Sequence, residues 1–192
     1  APALARAWGD TLAIAHVFDD SVTRGLPQDV RETIAASMSD FLHSEAVRLG
    51  SEGLKVEEHI LSGAPEQALA NLASQSKTRL VIVSSLGRRP EGWLLGSVAE
   101  RTADINPLPT LVVRSSAPFE AWARQERPLK IFAAFDFTGA AEAALRWIKC
   151  LTAAGPCEIV VGYLDWPLGE ARRLGITDQL LFTHNGPQVQ RI

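Results

Sequence analysis

With 192 residues, 46% of them hydrophobic and 21% charged, the chain has the balance of a globular protein long enough for one large domain or two small ones. A net charge of −3, with no basic run longer than Arg88-Arg89, argues against a protein that works on the phosphate backbone of nucleic acid. No apolar stretch has the length of a membrane span, no basic-then-apolar leader opens the chain, and Cys150 and Cys157 fit no zinc or redox spacing. They read as two buried thiols in a reducing cytosol.

In chain order, Ala3 to Trp8 has a helical, alanine-rich pattern, and Gly9-Asp10 turns it into an apolar strand over Thr11 to Val17. From Gln28 to Leu49, apolar residues at Val30, Ile34, Met38, Phe41, Leu42 and Leu49 share roughly one helical face. Pro27 stands before that helix and Gly50 just past its expected end. Leu54 to Leu61 reads as a strand, and Ser62-Gly63-Ala64-Pro65 opens a helix reaching about Ser74. Leu80 to Val83 is a short continuous apolar run, the pattern of a parallel strand covered on both faces. Gly87, Gly92 and Gly96 punctuate the loop after it, and Ser97 starts a helix that stops before Pro107. Thr110 to Arg114 supplies the next strand.

Ser115 to Pro128 is mixed and polar, a linker with room for a helical turn. Then the pattern restarts: a strand over Leu129 to Phe135 ending in Asp136, a helix over Thr138 to Leu151, and a strand over Cys157 to Tyr163. Beyond Asp165 regular period is lost, with a short basic helix expected around Gly169 to Leu174 and turn chemistry at Thr183 to Pro187. Strands alternating with helices at this spacing predict an α/β fold, an open parallel sheet with helices on both faces and loops gathered at the carboxyl ends of the strands. The helix, turn, strand and acid of 3–19 return in 144–165, which suggests an internal repeat.

The stretch 80–97 is where a ligand is expected. A helix that begins directly after a glycine-rich loop offers unpaired backbone N–H groups and the positive end of its dipole, which suit phosphate. The competing reading is local: Ser97-Val-Ala-Glu100 is a capping box that satisfies helix N–H groups without a ligand, and isolated glycines commonly serve turns. Asp136 reads either as a ligand for a nucleotide or its magnesium or as a helix cap, a job Thr138 also fits. His16, His43, His59 and His184 are scattered with no metal-ligand spacing, and no nucleophile elbow or Cys/His pairing is present.

Four pieces resemble the universal stress protein family: AHVFD at 15–19, ILSGAPEQALANLA at 60–73, VIVSSLGRRPEGWLLGSVAERT at 81–102 with PTLVV at 109–113, and IFAAFDFTGAAEAALRW at 131–147. The resemblance implies Rossmann-type α/β domains in tandem, a cytoplasmic regulatory role in stress response, and, in one branch, ATP binding. The family's loop runs glycine, two residues, glycine, nine residues, glycine, then serine or threonine. Here Ser84 takes the first place, Gly87 the second, and eight residues lead to Gly96 and Ser97. Carried over position by position, the nucleotide-binding residues are Val17, Val83, Ser84, Gly87, Gly96, Ser97, Val98 and Asp136, with ATP and magnesium as the implied cofactors and no catalytic residue. Ser84 brings a Cβ where the family has none, and the shorter loop with Arg88, Arg89, Pro90 and Trp93 changes the cover over the phosphates.

The resemblance also implies a homodimer or an intramolecular pseudo-dimer through the edge strand 109–113, together with a regulatory protein partner. The first domain is expected over 1–115, a linker over 116–128 and a partial second domain over 129–192. The first of these lacks the family's opening strand. Two arrangements answer that gap. The expected one is an internal piece of a longer tandem protein; the other has Leu129 to Phe135 filling the gap and bringing Asp136 beside Gly87 and Gly96. Three functional readings follow: an ATP-linked regulator, an interaction module that has given up the nucleotide, and a slow adenine-nucleotide hydrolase.

Overall fold

A computed structural model describes residues 1–19, 23–85 and 97–163, apart from the Ser97 side chain. The chain divides into two compact units, Ala1–Ser116 and Ala117–Ile192. The division falls at the start of the segment expected as a linker.

The first unit contains α1 (Pro2–Trp8), β1 (Leu12–Phe18), α2 (Gln28–Ser51), β2 (Val56–Ser62), α3 (Pro65–Gln75), β3 (Val81–Ser84), α4 (Ser97–Ile105) and β4 (Thr110–Val113). Pro2 sits in the first turn of α1, where its missing N–H costs nothing, and Gly9 closes the helix at φ 68°, a left-handed position that glycine takes without a Cβ penalty. The core under α1 joins Ala5 to Leu49 of α2 and to Leu54, with Leu12, Ile14 and Val56 packed against them. Leu49 is 2% exposed, so the carboxyl half of α2 anchors the helix while its amino half, through Val30 and Ile34, stands in solvent. The expected end of α2 moves. Gly50 lies inside the helix, which runs on to Ser51, and the left-handed residue that releases the chain is Gly53 at φ 83°, with the Leu54 N–H donating back to the Leu49 carbonyl.

Helix α3 packs on β1 and β2 and against α4, which packs on β4. Ala70, Ala73 and Ala99 are buried; small side chains let helices approach closely. An ion pair of 3.2 Å between Arg101 and Glu66 bridges α3 and α4 at the surface. All strand pairing is parallel: β1 with β2 from Leu12↔Val56 to Phe18↔Ser62, and β3 with β4 from Val81↔Thr110 to Ser84↔Val113. These two ladders are separate, and among the described residues no ladder joins β1 to β3. Their amino ends are tied instead, by an Arg79–Asp10 ion pair of 2.9 Å with the guanidinium 5.1 Å from the centre of the Trp8 ring. The carboxyl ends Phe18 and Ser84 therefore lie toward the opposite edge.

The second unit contains α5 (Ala117–Ala123), β5 (Leu129–Phe135), α6 (Gly139–Ala154) and β6 (Cys157–Tyr163). β5 pairs with β6 over its whole length, from Leu129↔Cys157 to Phe135↔Tyr163. Both α5 and α6 pack on β5. Leu129 and Ala133 are buried, while Phe132, on the other face, is 71% exposed. Trp122 is 4% exposed, and a Cβ at Gly155 would lie 2.6 Å from its Nε1. A Cβ at Gly162 would meet the far edge of the exposed Phe132 ring.

Two predictions follow from this packing. Gly155→Ala forces the buried Trp122 to shift and destabilises the second unit by about 1–3 kcal/mol, whereas Gly162→Ala costs less because Phe132 swings into solvent; urea unfolding of both variants reads the difference. In β1, alternate residues face β2, as shown by the Leu12 N–H donating to the Lys55 carbonyl, so the amides of Ala13, Ala15 and Val17 face the other edge. Hydrogen exchange in the 192-residue chain is expected to be faster at those three amides than at Ile14 and His16.

Candidate functional site

Of the expected site residues of the first unit, Val17, Val83 and Ser84 lie at the carboxyl ends of β1 and β3, and Ser97 and Val98 at the amino end of α4. Val17 is the penultimate residue of β1 and is half-buried; Val83 is half-buried and Ser84 exposed at the end of β3. Asn106, just beyond α4, donates from Nδ2 to Thr110 Oγ1 at 2.8 Å, fixing the carboxyl end of α4 beside the start of β4. The amino end of α4, Ser97-Val98, therefore lies toward the carboxyl edge of the strands, where Val98 is 40% exposed. Gly87 and Gly96 fall outside the described residues, as do the expected basic helix and turn of the tail.

The backbone at Ser84 is ordinary. Among the described non-glycine residues, only Gln125 and Phe137 have positive φ, so Ser84 sits in ordinary extended conformation and its Cβ brings no backbone strain. The next residue, Ser85, continues the ladder, its N–H donating to the Val113 carbonyl at 3.0 Å. Ala99 and Thr102 of α4 and Asn106 just beyond its end are buried at three- and four-residue steps along one side. Thr102 is fully buried, and among the described residues neither its Oγ1 nor the Asn106 Oδ1 has a hydrogen-bond partner. The helix is thus held by its buried face, and Glu100 is the acidic group of its first turn.

Asp136 belongs to the second unit, at the end of β5. Its Oδ1 accepts from the Thr138 N–H at 3.0 Å and from the Thr138 hydroxyl at 2.6 Å. Thr138 is the cap of α6, its Oγ1 accepting from the Ala141 N–H at 3.2 Å. The structure thus decides between the two expected caps: Thr138 holds the helix and Asp136 holds Thr138. These two hydrogen bonds push the Asp136 pKa below the ordinary carboxylate value. Between them Phe137 takes φ 61°, packing edge-on to Phe135 and to Tyr163 with ring centres 4.9 and 5.0 Å away. Sequence reasoning gives no sign of this aromatic group, because left-handed backbone is rare for a bulky residue.

The described histidines, His16, His43 and His59, are dispersed. His16 packs against Phe18, His43 pairs with Glu58 at 3.1 Å, and His59 lies 3.6 Å from Glu57. Among the described residues no group of three His, Cys, Asp or Glu side chains is placed to hold a metal ion. Cys150 and Cys157 are half-buried rather than buried as expected, and partial burial pushes the Cys157 thiol pKa up.

Residues 1–114 match the model of the universal stress protein family. The chain belongs to that family. Two curated relatives, universal stress proteins MT1672 and Rv1636 from two strains of Mycobacterium tuberculosis, are each 33% identical over 91 residues, covering 46% of this chain. That alignment spans 62% of each relative's length. Among solved structures, hypothetical protein MJ0577 aligns at a TM-score of 0.51 and 20% identity, covering 59% of this chain and 85% of its own, a likeness of fold. A universal stress protein crystallised in complex with cAMP aligns at a TM-score of 0.45 and 27% identity, covering 59% of this chain and 80% of its own. The α/β architecture with parallel strands expected from the sequence is the architecture observed.

The Asp136–Thr138 contacts predict a measurable titration. An aspartate whose folded pKa is depressed stabilises the protein above its unfolded value of about 4 and loses that contribution as pH falls through the folded value. NMR titration of the carboxyl carbon should give Asp136 a midpoint below that of an ordinary aspartate, and Thr138→Val should move it upward by removing the hydroxyl donor. Thr138→Ala should also destabilise α6 by about 1 kcal/mol through loss of the cap, read by urea unfolding.

Proposed function

We propose that this chain is a tandem, cytoplasmic universal stress protein whose first domain binds ATP with magnesium in the crevice around Gly87, Gly96 and Ser97, and that it acts as a regulator in stress response. The observation that carries this reading is the position of α4, which begins immediately after Gly96 and turns its amino end toward the edge where Val17, Val83 and Ser84 end their strands. A helix of nine residues offers the phosphates its first-turn N–H groups and the positive end of its dipole. The half-buried Val17 and Val83 give apolar contact for the adenine. The extended backbone of Ser84 supports the reading, since serine there leaves the strand undistorted.

In this proposal the first domain covers 1–115 without its opening strand, 116–128 is a linker whose helix α5 packs onto β5, and the second, partial domain covers 129–192. Asp136 serves a nucleotide or its magnesium through Oδ2, since Oδ1 is engaged by Thr138. Regulation is by linkage: a nucleotide that orders the loop shifts the population of conformers or dimers recognised by a protein partner, by no more than its difference in affinity for them.

Isothermal titration of ATP with magnesium into the 192-residue chain tests the site. Saturable binding is expected, weakened at least tenfold in Gly96→Trp, whose indole occupies the approach to the helix end. An unchanged dissociation constant in that variant, or no binding by the parent chain, rejects the phosphate placement.

A second reading, an interaction module working through β4, is favoured by the state of that strand. Among the described residues it pairs with β3 alone, and its four residues are all half-buried. The Pro109 and Val113 carbonyls accept from β3, which leaves the backbone of Thr110 and Val112 facing the open edge. Val112→Pro removes an edge donor without breaking the ladder to β3. If dimers form through this edge, size-exclusion mass should fall from dimer to monomer in the variant, with and without nucleotide.

A further inference from the structure

No further inference is drawn: the strongest candidate, the open edge between β1 and β3 in the first unit, restates the strand arrangement of the universal stress fold, and nothing in the structure shows what covers it.

Discussion

Parallel strands are costly to leave at an edge, because each presents a row of backbone donors and acceptors and, in a sheet layered by helices, an apolar surface on both faces. The first unit is governed by that constraint. β1 is satisfied along β2, β3 is satisfied along β4, and between the two ladders the described backbone makes no hydrogen-bonded link. What holds the ladders in one unit is helical and side-chain packing: α3 on β1 and β2, α4 on α3, and Arg79 against Asp10 and Trp8. The residues of β3 and β4 are mostly half-buried, where closed parallel sheets bury theirs fully. The first unit therefore draws less stability from its strands than their composition promises, and more from the alanine contacts of α3 and α4.

The same arrangement sets the character of the candidate site. Site residues delivered by separate ladders are positioned by the packing between those ladders, so Val17 is fixed relative to Val83 and Ser84 through α3 and α4 rather than through backbone hydrogen bonds. Buried side chains then matter for a site they never touch. Ala99 and the fully buried Thr102 press α4 into place, and a larger residue at either position would tilt the helix end that faces the strands. At Asp136 the logic is local: two hydrogen bonds from one threonine fix the carboxylate, and the same threonine caps the helix.

Much of the fold was legible because hydrophobic period and punctuation agreed. Pro27 before α2, the Ser62–Pro65 turn and the apolar run before Ser84 each marked an element that the structure contains. The misplaced end of α2 shows the limit of a single signal. Gly50 looked like a helix stop, but tertiary burial of Leu49 outweighs the propensity cost of one glycine, about 1 kcal/mol, and the true stop comes at Gly53, where the backbone turns left-handed. The choice between Asp136 and Thr138 as cap was not readable either, since both side chains have the right chemistry and only geometry separates them. The left-handed Phe137 and its aromatic neighbours were beyond reach for the same reason, because nothing in a side chain's identity announces a backbone conformation it disfavours.

Helix α2 raises a question of length. Its 24 residues extend about 36 Å at ~1.5 Å each, whereas the seven residues of β1 or β2 extend about 23 Å. Some two turns of helix consequently extend beyond the length of these two strands. Leu42, Ala46 and Leu49 are buried where sheet is available, and Val30 and Ile34 are exposed where it has run out. Overhang beyond the strands accounts for those two exposed side chains, and the amino end of α2 leans on its own i-to-i+4 hydrogen bonds, Gln28 to Glu32 and Thr33 to Asp29 among them.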